Sequence, residues 1–426
     1  MTVTGPRGRL DRTVPGEGVE PSRAEAHGFL RPARLPIPPS RPSGSRVAAR
    51  GPRAGLAALL LAVVIGCTGD VAPLESNGRT IVYLFDGSPV DAELVTSPVL
   101  AGMELAAHEE GGIEIEPLNV GLSRDEVMAP LQALGDDRTV VAAVVAPWTA
   151  PPAGAIELLA AENVPVVTFS WAWGPPPEGL EGLWHSLVPE RAREAVILLS
   201  GAARLAPQGA PLCLAGDDHV TSRALLETAG ELGEAAGDPE VVMAGVAATK
   251  GATTAGAVAA RIRDARCAAL TWIGGTTAAA SVLASVPDPP TVVATSRMKT
   301  DDGLELASSG VGLRTICACA DVSLSTDERS QRFVHDLQAE SGAPPGPFAV
   351  EAYDAARLLI GLVDAGDRTR GELVKALADL TRFSGLGGEY TFESGGSRSP
   401  APSALGVWRA MGSRWLPETA PAGPPE

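Results

Sequence analysis

Aromatic side chains are scarce in this 426-residue chain, at 4%, and lysine is nearly absent, with Arg outnumbering it about tenfold. The Arg bias reads as a mark of a GC-rich genome, not of function. Five histidines and five cysteines lie scattered, which leaves little for imidazole catalysis or a zinc site. No GxxxxGK[ST] loop occurs, which argues against a P-loop NTPase. There is no HExxH helix, GxSxG elbow or strand-borne GxGxxG either. No apolar run reaches the roughly 20 residues that a membrane-spanning helix needs. Basic residues are also short, 34 Lys and Arg against 51 Asp and Glu for a net charge of −17, which argues against a nucleic-acid-binding stripe. What is abundant is Ala, Val, Leu and Gly. With 45% apolar and 20% charged residues, the chain can bury large cores, so wholesale disorder is excluded.

The charge is unevenly spread. Residues 1–66 carry ten Arg against four acids, a net of +6, which leaves −23 for the remainder. Within the basic stretch, Arg46, Arg50 and Arg53 precede about a dozen apolar residues that end in Val64-Ile65-Gly66-Cys67. A positive n-region and a short h-region before a small residue and a cysteine read as a lipoprotein signal peptide over 46–66. Its cleavage site resembles the bacterial lipobox, in which the thiol of Cys67 would accept a diacylglycerol group. Acyl chains contribute about 0.8 kcal/mol per buried methylene, and two or more give stable anchoring. Residues 1–45 are Pro- and Arg-rich without periodicity and read as a disordered or misassigned extension. No Met lies between Met1 and Met103, so Val47 is a candidate alternative start. Residues 67–78 read as a polar tether and 419–426 as a disordered tail.

From residue 79 onward, short Val/Ile/Leu runs alternate with amphipathic stretches. Strands are predicted at 80–85, 113–120, 140–146 and 164–170, with helices near 98–110, 124–135 and 153–163. A turn-rich stretch at 174–179 leads to a second series. Its strands fall at 211–215, 240–246, 267–273, 291–295 and 315–320, with helices near 190–205, 221–236, 254–265 and 277–285. Helices at 326–341, 348–365 and 370–381 precede a β ending. Near-continuous apolar strands followed by helices indicate parallel sheets covered on both faces. The expected fold is α/β, with two doubly wound lobes.

Several segments resemble the branched-chain amino-acid-binding type of bacterial solute-binding proteins, which feed ABC transporters. They are Pro98-Val-Leu-Ala-Gly-Met-Glu-Leu-Ala-Ala, Val141–Pro147 with its polar turn, Glu162-Asn-Val-Pro-Val-Val-Thr-Phe-Ser, Leu183–Pro189, and Glu351-Ala-Tyr-Asp-Ala-Ala-Arg-Leu-Leu with Gly385–Phe392 behind it. Their order over about 79–418 carries the likeness more than any one of them. The resemblance implies a type I periplasmic binding protein whose lobes are joined by three crossings, near 188–191, 321–325 and 383–390. Lobe 1 would comprise 79–189 plus 322–384, and lobe 2 would comprise 190–321 plus 385–418.

In open parallel sheets ligands sit beyond the carboxyl ends of strands, so candidate binding residues are sought there. By family position Thr149 matches a hydroxyl that helps hold a ligand carboxylate. A second such hydroxyl aligns with Ala172, so that contact is lost or passes to Ser170. Trp148 and Trp171, with Trp173 nearby, cluster at two of these edges, where indole would supply a rigid wall and one donor; capping of the core is the alternative. Thr168 ends one strand, and Asp86 lies beyond the first. In the second series His219 follows a strand where the family often places an aromatic residue, and Thr276 follows another. Arg297 stands near where the family places an acid that pairs the ligand's ammonium. There it would repel an ammonium and attract an anion, which puts a branched-chain amino acid in doubt. Solvated loop positions are the alternative for His219 and Arg297.

Cys213 and Cys267 would either pair, as export permits, or remain buried thiols. Cys317 and Cys319 share one strand face. The expected activity is capture of a small polar or amino-acid-like ligand without turnover, with no cofactor and no metal. The expected partners are an ABC permease and a separate ATPase, and the protein is expected to be monomeric. It would sit on the outer face of the cell membrane through Cys67, or on the periplasmic side in a Gram-negative organism. A sensor of the same fold signalling to a membrane partner, or an anchored α/β enzyme, stands as the alternative.

Overall fold

The computed structural model of the chain describes residues 79–85, 97–120, 124–149, 154–169, 183–188, 191–237, 240–248, 252–366, 369–392 and 405–419. The expected signal peptide, Cys67, Asp86, Ser170, Trp171 and Trp173 lie outside the described residues.

The first sheet is all parallel. Its strands β1 (Thr80–Phe85), β2 (Glu114–Asn119), β3 (Val140–Val145), β4 (Val166–Thr168) and β5 (Trp184–Ser186) lie in the order β2-β1-β3-β4-β5. The hexapeptide VVAAVV of β3 is buried at every position, as a central strand covered on both faces must be. At the edge, β2 has no buried residue and carries Pro117, which an edge strand tolerates because one side needs no ladder donor. Helices α1 (Ser97–Glu110), α2 (Arg124–Asp136) and α3 (Ala155–Ala161) connect these strands.

The second sheet runs β14-β13-β10-β9-β8-β6-β7. Its parallel part is β6 (Leu212–Asp217), β7 (Val241–Ala247), β8 (Ala269–Ile273), β9 (Thr291–Ala294) and β10 (Leu313–Ala320). The chain enters through α4 (Arg191–Leu205) and alternates with α5 (Val220–Ala236), α6 (Ala252–Ala265), α7 (Thr276–Leu283) and α8 (Asp301–Ser308). It then returns to the first sheet. There α9 (Glu328–Ser341) and α10 (Ala349–Ala365) pack on α1, and α11 (Arg370–Ala378) packs on β3. A short ribbon, β11 (Arg382–Ser384) with β12 (Glu389–Thr391), precedes β13 (Leu405–Met411) and β14 (Arg414–Pro417), which join the second sheet antiparallel beside β10.

The α/β architecture with two doubly wound parallel-dominated sheets matches the expectation. Ends are set by local chemistry: Asp327 caps α9 through Ser330 N, Thr369 and Glu372 form a reciprocal capping box on α11, and Gly237 and Gly342 close α5 and α9 in the left-handed region. The sequence reading omits α8, β11 and β14 and assigns no strand at β5. Cys213 and Cys267 are joined, with Cα atoms 5.5 Å apart, tying the starts of the neighbouring strands β6 and β8. Among the described residues no helix is long and apolar enough to cross a membrane.

Candidate functional site

Strand order locates the site before any side chain is considered. In the first sheet the chain leaves β1 toward β2 on one side and leaves β3 toward β4 on the other. In the second it leaves β6 toward β7 and β8 toward β9, again in opposite directions. At such reversals the following loops diverge and open a crevice beyond the strand ends.

The loop after β3 carries Trp148 and Thr149, both buried. Trp148 has a φ of 63°, a left-handed conformation that costs a bulky residue on the order of 1–3 kcal/mol and persists only where its surroundings impose it. The surroundings come from the other sheet. Its indole Nε1 donates to Ser296 Oγ at 3.3 Å, and the Arg297 guanidinium carbon lies 5.7 Å from its ring centroid. Ser296 and Arg297 form the 3₁₀ turn Ser296–Met298 directly after β9. The carboxyl edges of the two sheets therefore meet through these side chains.

Asp217, the last residue of β6, organises the second edge. Its Oδ2 accepts from Gly275 N at 2.7 Å and its Oδ1 from His219 N at 3.2 Å. Gly274 has a φ of +147°, and a Cβ there would stand 2.4 Å from the Asp217 carboxyl carbon, so the approach of the two loops demands glycine. Arg297 Nη1 lies 3.7 Å from Asp217 Oδ2 and donates to Ser222 Oγ at 3.2 Å. All of these residues except His219, Gly274 and Gly275 are nine-tenths or more buried polar groups.

Other expected site residues are placed differently. His219 is the N-cap of α5; its Nδ1 accepts from Thr221 N and lies 2.7 Å from Thr221 Oγ1. Its ring is thus engaged in capping. Thr276 opens α7, and its hydroxyl is 3.1 Å from that of Thr300, the N-cap of α8. Thr276 also lines a surface groove of about 740 Å³ between α7 and α8, with the exposed Asp302 and Glu305 beside it. Every lining residue belongs to the second sheet's half, so that groove is separate from the interlobe contact. Thr168 ends β4, buried, in register with Val145 and Ser186, one strand beyond the reversal. Asp217, Ser222 and Ser296 were not among the expected site residues; a strand-terminal Asp before Asp-His and the Ser beside Arg297 are the signals that point to them. Among the described residues no group of three or more His, Cys, Asp or Glu converges to hold a metal.

The sequence profile of the periplasmic binding proteins matches residues 84–412. The chain belongs to the periplasmic binding protein family. Solved structures agree on the fold of this periplasmic binding protein. The substrate-binding protein LivJ of Streptococcus pneumoniae, in complex with isoleucine, is 14% identical with a TM-score of 0.64, over 80% of this chain and 99% of that one. A substrate-binding protein of Desulfitobacterium hafniense in complex with Leu gives 16% and 0.59 over the same shares. A solute-binding protein from R. palustris in complex with benzoate gives 14% and 0.60, over 80% and 95%. Comparison with curated proteins yields no match.

In this periplasmic binding protein, buried carboxylates hold the segments that run between the two sheets. On α10, Glu351 accepts from Ala320 N at the end of β10. One turn on, Asp354 accepts from Leu386 N at 2.6 Å, Gly387 N at 2.8 Å and the Tyr390 hydroxyl at 2.9 Å. Within the second half, Glu194 on α4 accepts from Ala318 N of β10 at 2.6 Å. Burial pushes Glu351 up to about 8 and Glu194 up to about 7, against the pull of their backbone donors. Burial also raises Asp354. Two residues past Arg297, Lys299 lies 4.8 Å over the Trp408 ring, and burial lowers it to about 8 while Asp321 pulls it back.

Proposed function

We propose that this protein captures a small solute between its two lobes and delivers it, unaltered, to an ABC importer. The observation that carries the reading is the meeting of both strand-reversal edges through Trp148, Ser296 and Arg297. A crevice lined from two rigid sheets is where this class of fold binds ligands, and closure about a hinge buries the guest and expels water. The three hinge crossings are assigned to 188–191, 321–325 and 383–390, with lobes of 79–189 plus 322–384 and 190–321 plus 385–418. Trp148 and Thr149 supply one wall of the site, and Asp217, Ser222, Ser296 and Arg297 supply the other. Cys67 is the lipid attachment point that keeps the receptor beside its permease on the outer face of the membrane, as a monomer.

The test is a thermal-shift screen of the purified chain against amino acids, amides, short carboxylates, sugars and polyols. A ligand at 100 times its Kd adds about 2.7 kcal/mol of stability, which a melting curve resolves. The expected result is a hit whose composition is unchanged after prolonged incubation, and whose shift disappears in Trp148→Ala. Steady product formation from a hit would overturn the receptor reading. For the anchor, labelled palmitate should enter the wild-type chain and not Cys67→Ser.

A further inference from the structure

Resting on that reading, we infer that the interlobe site selects a small carboxylate with an apolar body and no ammonium group. Three observations lead there. First, the charge presented at the meeting edge is a guanidinium. Arg297 is 4% exposed and lies across both lobes, against the indole of Trp148 from the first and beside Ser222 and Asp217 of the second. A guanidinium in a closing crevice favours an anionic guest, with part of its charge offset by the ion pair to Asp217. Second, the carboxylate beside it is engaged elsewhere. Asp217 gives one oxygen to Gly275 N and the other to His219 N, and meets Arg297 only at 3.7 Å. It fixes the loop and orients the arginine; an ammonium arriving here would meet the guanidinium beside a carboxylate that already serves two backbone donors and the arginine. Third, the facing wall is indole with one hydroxyl, Trp148 and Thr149, which suits a flat or branched hydrocarbon.

Matched ligands that share a hydrocarbon body and differ in the charged groups it carries test this directly. One set is 4-methyl-2-oxopentanoate, leucine and 3-methylbutylamine; the other is phenylpyruvate, phenylalanine and phenethylamine. Binding is read by calorimetry on the purified chain. The expected order is oxo acid first, with a Kd at least about tenfold below that of its amino acid, since like charges placed together cost heavily, and no heat from the amine. Arg297→Gln should weaken the oxo acid about a hundredfold or more, with Arg297→Lys recovering part of it, because lysine keeps the charge but not the planar fork. The wild-type comparison stands even if the Arg297 variants fold poorly. Leucine or phenylalanine binding as tightly as its oxo acid would overturn the inference and leave solute capture intact; that outcome is the one to expect if Asp86 receives the amine. Silence from all six ligands also overturns it. Solute capture itself fails only if sugars, polyols and amides likewise leave the melting temperature unmoved.

Discussion

Arg370 holds together more of the first lobe than any apolar side chain of its size could. Its guanidinium donates to the carbonyls of Leu134, Gly135, Asp137, Val140 and Glu162, collecting the end of α2, the end of α3 and the start of β3 on one planar fork. Helix carboxyl ends leave such carbonyls without partners and carry partial negative charge. Arg370→Ala strands them in the interior, and a loss of about 2–5 kcal/mol is expected, read as the midpoint of urea unfolding. Arg370→Lys should recover little of it, since an ammonium cannot reach five acceptors. Glu351 gives a pH signature. Its ordinary value is near 4.5 and burial raises it to about 8, so the folded chain keeps a proton that the unfolded chain has released. That stabilisation is complete below about pH 4.5 and is lost as pH climbs to about 8. The melting temperature should therefore fall across this window, with Glu194 contributing in the same direction up to about 7. Glu351→Gln, which keeps an oxygen for Ala320 N, should flatten the slope and raise stability at pH 8. None of this was legible in the sequence. Arg370 read there as an ordinary helix residue and Glu351 only as part of a segment resembling a known family, because what distinguishes them is whom they meet across more than two hundred residues or across a crossing segment.

Among the elements, those written in local chemistry were legible and those imposed by distant contact were not. The helix expected at 124–135 spans Arg124–Asp136, and the strand expected at 140–146 spans Val140–Val145, because period and burial agree. Helix α8 escaped notice although Thr300, Asp301 and Asp302 form a capped, acidic first turn. Gly303 masks it: a Cβ there would stand 2.1 Å from the Met298 carbonyl oxygen, so a helix-weakening residue sits in the first turn for a packing reason. Site residues divide the same way. Trp148 and Arg297 could be chosen from strand ends alone. The engagement of His219 in capping α5, and of Thr276 with Thr300, depends on loop geometry that no spacing encodes. The Cys213–Cys267 link closes 54 residues of sequence, and chain-entropy reasoning assigns it about 4 kcal/mol. Cys213→Ser with Cys267→Ser should lower unfolding stability by that order while leaving ligand affinity nearly intact, since the link ties strand starts and the proposed ligand edge lies at strand ends.

For the molecule as a whole, the Trp148 contact is a side-chain bridge between its halves, and it should set how open the unliganded protein rests. Trp148→Ala is expected to increase the radius of gyration in small-angle scattering relative to the wild type; an unchanged value would mean the lobes are held by the crossing segments alone. The closing hairpin has a different consequence. Strands β13 and β14 complete the second sheet beside β10, yet they are made after the chain has already gone back to build α9, α10 and α11 on the first. The second half cannot be finished until this last stretch is made, after every element of the first is already in place. A premature stop near residue 400 would strip the shield from β10, exposing an apolar ladder edge to other nascent copies. Such a product is expected to be cleared by proteases as an aggregate, with no partly working receptor left behind.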